Sequence, residues 1–236
     1  DWLTHNKKKM NETLIIIPAR SGSKRIKNKN IRVVNGKPLI YWTIKYAKKY
    51  SKNEDIIVSS DSKIVGDISR LKKLKFFKRP KKISGDKADV YFAINHVLKT
   101  IKDKSKYKYI ALLQPTSPLR PKNIISNGIK LLQRNSFFQN VIHLEKTYYK
   151  IGTISSKNEW NPLYKNNPRG QDIDNQFRPS GCLFLYLLKD FENYKKFLKR
   201  KSYGFISKNN IETVNIDTEE DFLKLKHLLK IGNKVD

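Results

Sequence analysis

The sequence predicts an α/β protein built on a doubly wound, mostly parallel sheet. Short apolar runs with the pattern of buried strands alternate with segments whose apolar residues recur at helical spacing. The first run, LIIIP at residues 14–18, ends at a proline and is soon followed by a glycine, which is typical of a buried parallel strand. Alternation of this kind places helices on both faces of one sheet.

The first half of the chain contains clear boundary signals. Strands are expected at 14–18, 31–34, 55–61, 76–77 and 109–113, and helices at 38–50, 62–74, 89–102 and 121–133. Asn35-Gly36 is a strong turn signal, and Pro38 and Pro121 each suit the first position of a helix. These segments predict a repeated strand–helix unit in this half of the chain.

The second half has weaker periodicity. Strands are expected at 140–145, 182–187, 205–206 and 211–216, and helices at 189–200 and 222–229. Thr218 and Asp221 resemble a capping box that opens the last helix. Residues 147–176 are rich in Asn, Tyr, Lys and Gly, so we expect loops that can include an inserted hairpin.

Composition limits the class of protein. The 236 residues, 38% of them hydrophobic, suffice for one domain with a substantial core. No apolar run approaches the roughly 20 residues that cross a bilayer, so we expect no membrane partner. The single cysteine, Cys182, fits a reducing cytoplasm. Met10 is the only methionine, so we expect residues 1–9 to be a non-native or disordered leader and 10–236 to form the domain.

The net charge of +29 raises the alternative of a nucleic-acid-binding protein. However, 40 of the 50 cations are lysines, and they are spread along the whole chain. No arginine-rich arm, aromatic-interleaved basic motif or zinc-ligand spacing occurs. The charge pattern therefore favours a solvated lysine-rich surface over a specific nucleic-acid partner.

The loop after the first strand predicts a polyphosphate site. Ligands of open α/β sheets lie beyond the carboxyl ends of the strands, and this loop begins there. Its backbone N–H groups, hydroxyls and cations, ARSGSKRIKNKN at 19–30, are the groups that hold phosphate oxygens. The loop matches neither GxxxxGK[ST] nor GxGxxG, so those two motifs do not explain it. The second long strand also ends in hydroxyls and a carboxylate, Asp61.

Five segments in order resemble the acylneuraminate cytidylyltransferases, which activate sialic-acid-type sugars as CMP-sugars. They are PARSGSKRIKNKN at 18–30, RPKKISGDKA at 79–88, LLQPTSPLR at 112–120, FRPSG at 177–181 and NIDTEEDF at 215–222. The likeness extends from residue 14 to about residue 229, and LLQPTSPLR is its most specific part.

The resemblance implies a Rossmann-like fold of the nucleotide-diphospho-sugar transferase type with a small dimerisation insertion, at about 147–207. It implies a homodimer that joins CTP to a nonulosonic acid, a nine-carbon 2-keto sugar acid, and releases pyrophosphate. The implied cofactor is Mg²⁺, held by one or two carboxylates and by phosphate oxygens.

The resemblance also implies residue roles. Arg20, Lys29 and Asp217 are expected to be catalytic, and Asp217 and Asn215 to hold the metal. The expected nucleotide-binding residues are Arg20, Ser21, Gly22, Ser23, Lys24, Lys29, Asn30, Arg79 and Ala88, the last two at the cytosine. The expected contacts to the sugar acid are Gln114, Lys150, Arg169 and Arg178.

Four departures from the family pattern keep alternatives open. Asn215 stands where the family usually has Asp, Arg25 where many members have Gly, Ser180 where Asn is common and Phe184 where Tyr is common. The alternatives are a pseudaminate, legionaminate or Kdo type of synthetase, a basic nucleic-acid-binding protein, and a non-catalytic CTP-binding protein. Considered singly, Asp217 could serve only to complement a helix dipole, and Gln114 and Arg120 could be loop-capping groups.

Overall fold

A seven-stranded mixed sheet forms the centre of the protein. The computed structural model describes residues 12–23, 25–85, 88–147, 152–163, 176–193, 201–206 and 213–232. The strands are β1 (Thr13–Pro18), β2 (Val33–Val34), β3 (Lys37–Pro38), β4 (Ile56–Ser60), β5 (Lys75–Lys78), β6 (Tyr109–Leu112), β7 (Asn140–Lys146), β8 (Gly152–Ile154), β9 (Trp160–Pro162), β10 (Phe177–Leu187) and β11 (Ser202–Ile206).

The α-helices alternate with these strands. They are α1 (Leu39–Tyr50), α2 (Lys63–Leu71), α3 (Val90–Thr100), α4 (Ile124–Arg134), α5 (Leu188–Asn193) and α6 (Glu219–Gly232). Short 3₁₀ turns occupy Lys29–Ile31, Asn53–Asp55 and Lys81–Ile83. Ser62 caps α2 by accepting the N–H of Val65, and Asp89 caps α3 by accepting the N–H of Tyr91.

The strand order in the large sheet is β11-β7-β10-β6-β1-β4-β5. All neighbours are parallel except that β10 runs antiparallel to both β6 and β7. The predicted doubly wound, mostly parallel sheet is therefore confirmed. Its parallel strands bring the ends of β1, β4, β5 and β6 to one edge, where open α/β sheets bind their ligands.

The two faces of β1 belong to different cores because side chains alternate along a strand. Ile15 and Ile17 pack with α1, α2 and α4 on one face. Leu14 and Ile16 pack with α3 and α5 on the other face. All four side chains are fully buried, as the continuous apolar run predicts for a strand covered on both sides.

A third core fixes the segments that lead into the site. Ile26 from the loop after β1 packs with Val214 and Ile216, which flank Asn215, and with Leu225 of α6. Asp221 accepts hydrogen bonds from the backbone N–H groups of residues 217 and 218, so the predicted capping box opens α6. The phosphate-type loop and the segment around residue 217 are thus anchored in one hydrophobic cluster.

Several predicted elements differ from the observed ones. The strand expected at 211–216 is wrong for its described part, because residues 213–217 form no strand, although Ile216 donates its N–H to the carbonyl of Thr116. The strand expected at 31–34 is reduced to β2, which pairs with β3 across Asn35-Gly36. Both turn residues have positive φ, as a type I′ hairpin requires.

The remaining differences concern lengths. The helix expected from residue 121 begins at Ile124, and the one expected at 222 begins at Glu219. The strand expected at 182–187 is the end of the longer β10, and β8 and β9 form a hairpin within 147–176, as expected there. The helix expected at 189–200 begins one residue earlier, and its residues 194–200 lie outside the described residues, as does the predicted leader.

Among the described residues, no helix has the length and apolarity needed to cross a membrane.

Candidate active site

A cavity of about 360 Å³ opens at the carboxyl edge of the parallel strands. Segments that are far apart in the sequence line it: the loop after β1, the end of β5, the start of α3, the loop after β6 and the segment before α6. Its lining residues are Pro18, Arg20, Gly22, Ser23, Lys29, Asn30, Arg79, Ala88, Val90, Gln114, Pro115, Thr116, Asn215 and Asp217.

The loop after β1 is tied to its neighbours through backbone and side-chain bonds. Asp61, at the end of β4, accepts the N–H of Ser21 at 2.8 Å and its hydroxyl at 2.5 Å. Asn30 donates its amide to the carbonyl of Arg20 at 2.9 Å. These hydrogen bonds hold the pKa of Asp61 below its usual value despite its partial burial. The loop is therefore preorganised by a carboxylate that stays ionised.

Arg79 brings a buried cation to the cavity. Its guanidinium donates to the carbonyl of Ser59 at 2.8 Å and to the Ser59 hydroxyl at 3.3 Å, and only 6% of the residue is exposed. Burial lowers its pKa to about 10, against the opposing attraction of Asp61, so the group remains protonated at neutral pH. A desolvated and fixed arginine is well suited to recognise carbonyl or phosphate oxygens.

The segment before α6 places the Asp217 carboxylate against cations. Lys29 donates from Nζ to the carbonyl of Ile216 at 2.6 Å and to Oδ1 of Asp217 at 3.2 Å. Arg25 approaches the same oxygen at 4.0 Å, and Asn215 donates its amide to Oδ2 at 2.6 Å. The Asp217 side chain keeps 43% of its surface exposed, so it remains accessible to a ligand in the cavity.

The cavity is electropositive. Three of its lining side chains, Arg20, Lys29 and Arg79, are cationic, whereas among the described residues Asp217 is the one lining carboxylate. Like charges that share a concave, partly desolvated site attract anionic ligands. The arrangement favours a ligand with more than one negative charge.

The structure brings together ten of the predicted site residues: Arg20, Gly22, Ser23, Lys29, Asn30, Arg79, Ala88, Gln114, Asn215 and Asp217. Ser21 bonds Asp61 and does not line the cavity. Arg178 lies on β10, where it pairs with Glu145 and is likewise absent from the lining. Lys24, Lys150 and Arg169 lie outside the described residues.

Sequence reasoning did not assign a role to three residues at the site. Thr116 and Val90 line the cavity, and Asp61 holds the loop after β1. The sequence position of Asp61 indicated a role in the site, because Asp61 directly follows a buried strand that ends at the carboxyl edge of the sheet. Thr116 lies between two prolines in LLQPTSPLR and offered none beyond that motif.

A cationic cavity at the strand ends of a doubly wound sheet is typical of proteins that bind nucleotides. This chain belongs to the cytidylyltransferase family, whose model matches residues 14–234. The resemblance noted in the sequence is therefore confirmed.

Relatives in this family carry specific names. The chain is 31% identical over 215 residues to the N-acylneuraminate cytidylyltransferase of Escherichia coli, which covers 89% of this chain and 50% of that protein. It is 29% identical over 235 residues to the pseudaminic acid cytidylyltransferase of Campylobacter jejuni, covering 94% of this chain and 98% of that protein. It is 25% identical over 248 residues to the CMP-N,N'-diacetyllegionaminic acid synthase of Legionella pneumophila, covering 94% and 97%. The chain thus spans about half the length of the Escherichia coli relative.

Solved structures support the fold. The structure of a CMP:2-keto-3-deoxy-manno-octonic acid synthetase complexed with CTP matches with a TM-score of 0.67 at 14% identity, over 94% of this chain and 99% of that one. A 4-diphosphocytidyl-2C-methyl-D-erythritol synthase from Anaerococcus prevotii matches with a TM-score of 0.64 at 16% identity, over 94% and 99%. Likeness at this level of identity concerns the fold alone.

Proposed function

We propose that this chain is a cytidylyltransferase that joins CTP to a nonulosonic acid, giving a CMP-sugar and pyrophosphate. The observation that carries the proposal is the convergence of five distant segments on one electropositive cavity. The names of the family relatives, which include sialic, pseudaminic and legionaminic acid enzymes, support the substrate class.

The nucleotide is proposed to lie along the loop after β1. Arg20 and Lys29 would neutralise the triphosphate, with Ser23 and the backbone of Gly22 contributing hydrogen bonds. Arg79 would donate to the acceptor atoms of cytosine, and the carbonyl of Ala88 would accept from its amino group. The Oδ1 atom of Asn30 is buried without a hydrogen-bond partner among the described residues, so a ribose hydroxyl would satisfy it only by displacing the atoms that cover it.

We propose Mg²⁺ as the cofactor, with Asp217 as its main protein ligand and Asn215 as the second. In the structure the amide nitrogen of Asn215 faces Asp217 and its Oδ1 lies 3.5 Å from the Ser117 hydroxyl, so the carboxamide would have to turn over for its oxygen to reach the metal. No group of three His, Cys, Asp or Glu side chains that could hold a metal occurs among the described residues. One accessible carboxylate nevertheless fits Mg²⁺, which takes most of its ligands from phosphate oxygens and water. When bound, the ion neutralises charge that develops on the phosphates.

The chemistry asks the protein mainly for positioning and charge stabilisation. The anomeric oxygen of the sugar acid would form a bond to the α-phosphorus, while the bond from that phosphorus to the bridging oxygen breaks and pyrophosphate leaves. The hydroxyl proton would pass to solvent. Arg20 and Lys29 would hold the leaving group, and Gln114 would hold the sugar on the opposite side of the cavity.

The sugar acid carries its own negative charge. Lys150, Arg169 and Arg178 are proposed to attract its carboxylate, as the family resemblance implies. The named relatives differ in their sugars, so sialic, pseudaminic and legionaminic acids all belong in the test, together with Kdo.

The decisive experiment measures pyrophosphate release. Protein with CTP and Mg²⁺ is incubated separately with each of these sugar acids, and one or more of them should give a CMP-sugar and stoichiometric pyrophosphate. Replacement of CTP by UTP is the matched control and should give much slower release. Absence of turnover with every sugar would contradict the proposal.

A second candidate, a non-catalytic CTP-binding protein, is favoured by one observation. Asn215 stands next to Asp217 and donates its amide to that carboxylate, so the pair offers one negative charge to a metal. If this candidate is correct, Asn215→Asp should create turnover that the parent chain lacks. Turnover by the parent chain excludes it.

We also propose that the protein is a homodimer that works in the cytoplasm, where CTP is supplied. The hairpin of β8 and β9 exposes Ile154 and Trp160, and Leu163 directly after it is exposed too. Apolar side chains clustered on a projecting hairpin are typical of association surfaces. Trp160→Glu should shift the mass measured by light scattering from dimer to monomer, and a parent chain that is already monomeric would contradict the proposal.

A further inference from the structure

The loop after β6 is joined to a bulge in β10 by three consecutive hydrogen bonds. The register of β10 shifts between Pro179 and Phe184, which leaves residues 180–183 without register partners. The carbonyls of Ser180, Gly181 and Cys182 accept in turn from the Ser117 hydroxyl at 2.7 Å, the Gln114 N–H at 3.4 Å and the Arg120 Nε at 3.0 Å. The loop is therefore tied to the bulge by direct hydrogen bonds.

Arg120 lies at the centre of this connection. Its other guanidinium nitrogens donate to the carbonyl of Gln114 at 2.5 Å and to the hydroxyl of Thr43 in α1 at 2.9 Å. Only 8% of the residue is exposed, and the three acceptors of these hydrogen bonds are uncharged. Burial lowers its pKa to about 10, so it remains a cation at neutral pH. A buried cation is costly unless each bond is made, which makes the geometry of this cluster strict.

Gly181 brings the bulge against the Gln114 side chain. Its φ of +77° favours glycine, and a Cβ at this position would lie 2.7 Å from Oε1 of Gln114 and collide with the Ser117 hydroxyl. The same Cβ would lie 3.6 Å from Oδ1 of Asn215. The carboxamide of Gln114 is therefore seated directly on the bulge, next to the segment that carries Asp217.

We propose that Arg120 is a positioning residue for the second substrate, and that Arg120 and Gly181 together fix the Gln114 carboxamide on the sugar side of the cavity. This inference rests on the proposed function. The nucleotide side should be unaffected, because Arg79 follows β5, and β1 and β4 separate β5 from β6 in the sheet. A disturbance at the bulge should thus act on the sugar acid and spare CTP.

The test measures KM for each substrate in Arg120→Lys and Gly181→Ala. Both variants should raise KM for the sugar acid by about tenfold, with KM for CTP changed less than about twofold. Tyr107→Phe is the control, because it removes a hydrogen bond to buried Asp55 at the opposite end of β6. It should lower stability without separating the two KM values.

Cys182 supplies a readout that does not depend on activity. It is the only cysteine of the chain, it is fully buried, and its N–H donates to the Ser180 hydroxyl within the bulge. If Arg120 holds the bulge, Arg120→Lys should increase the rate of Cys182 labelling by a soluble thiol reagent about tenfold in the folded protein. Tyr107→Phe should label at the parent rate.

The outcomes separate the two proposals. An active parent chain whose variants keep the parental KM for the sugar acid overturns this inference and leaves the proposed function intact. A parent chain that turns over no sugar acid overturns the proposed function. In that case an unchanged Cys182 labelling rate in Arg120→Lys also overturns the role of Arg120 in holding the bulge.

Discussion

The two ends of the central strands carry polar clusters of opposite character. At the amino-terminal end, the buried carboxylate of Asp55 accepts from Lys106 at 2.6 Å and from the Tyr107 hydroxyl at 2.8 Å. At the carboxyl-terminal end, cationic side chains outnumber carboxylates around an open cavity. The first cluster satisfies its charge within the chain, whereas in the second the lining cations outnumber the lining carboxylate.

We therefore expect the Asp55 cluster to contribute to stability and the cationic cavity to contribute to ligand binding. Asp55 and burial both raise the pKa of Tyr107, to about 12, so that cluster favours one protonation state and one arrangement. An excess of lining cations over carboxylates at the other end costs folding free energy and attracts anionic ligands. Substitutions at the two ends should therefore affect different measurements.

Asp217→Ala should have the largest effect. It removes the one carboxylate that lines the cavity among the described residues, and kcat should fall at least about 100-fold. Circular dichroism should show an unchanged fold, because the side chain is partly exposed. Asp67→Ala on α2, which removes an exposed carboxylate paired with Arg70, is the control and should keep the parental kcat. Parental kinetics in Asp217→Ala would remove the metal assignment.

Lys29→Met should have the next largest effect. The Lys29 side chain is 12% exposed and contacts both Ile216 and Asp217, so methionine keeps much of the packing and removes the charge. KM for CTP should rise by about ten- to thirtyfold, the effect of losing one buried charge-assisted hydrogen bond. Lys99→Met on the surface of α3 is the matched control. An unchanged KM for CTP would separate Lys29 from the triphosphate.

The sequence predicted those parts of the fold that depend on local pattern. The buried run at 14–18, the Asn35-Gly36 turn and the capping box at Thr218 each follow from residues close in the chain. The strand expected at 211–216 does not form in its described part. Alternating apolar residues predict burial but do not specify which element the residues pack against. Val214 and Ile216 are buried in the third core beside α6, and Ile216 makes its backbone bond to the loop after β6.

The sequence was sufficient to predict which edge of the sheet carries the site. It was not sufficient to predict which side chains contact one another there. The rule that ligands lie beyond the carboxyl ends of strands placed Arg20, Arg79 and Gln114 at one edge. Asp217 also lies there, although the strand expected before it does not form in its described part. No sequence pattern indicated that Arg120 bonds three carbonyl or hydroxyl acceptors from different segments, because such contacts depend on the bulge in β10. Long-range backbone geometry carries that information.

Asp55→Asn tests the amino-terminal end of the comparison. The amide keeps the shape of the side chain but weakens its bonds to Lys106 and Tyr107, so the free energy of unfolding should fall by about 1–3 kcal/mol. Both KM values and kcat should remain parental, because the cluster lies at the far end of the sheet from the cavity. Urea denaturation measures the first effect. A large change in KM would contradict the separation of the two ends.

The smallest predicted effect is a loss of stability at low pH. The two ends of the strands contribute to stability with opposite pH dependence. His143 on β7 is fully buried behind the bulge, with Nδ1 2.6 Å from the Ser180 hydroxyl and Nε2 without a partner among the described residues. Burial, with a contribution from Arg120, lowers its pKa from 6.5 to about 4. The folded protein therefore keeps the imidazole neutral at a pH where the unfolded chain has taken up a proton.

Because the folded-state pKa of His143 is depressed, its contribution to stability is complete above pH 6.5 and is lost as the pH falls toward 4. The loss should approach about 1.4 kcal/mol per pH unit in the parent chain. His143→Gln should show a shallower acid dependence in urea denaturation at pH 7, 6 and 5, whereas His227→Gln, at an exposed position of α6, should follow the parent. The stability contribution of the amino-terminal cluster depends on pH in the opposite direction. Because the folded-state pKa of Tyr107 is raised, its contribution is lost only as the pH rises above 10. An equal pH dependence of the unfolding free energy in the parent chain and in His143→Gln would contradict this prediction. It would mean that the His143 imidazole takes up a proton, and is reached by water, in the folded state.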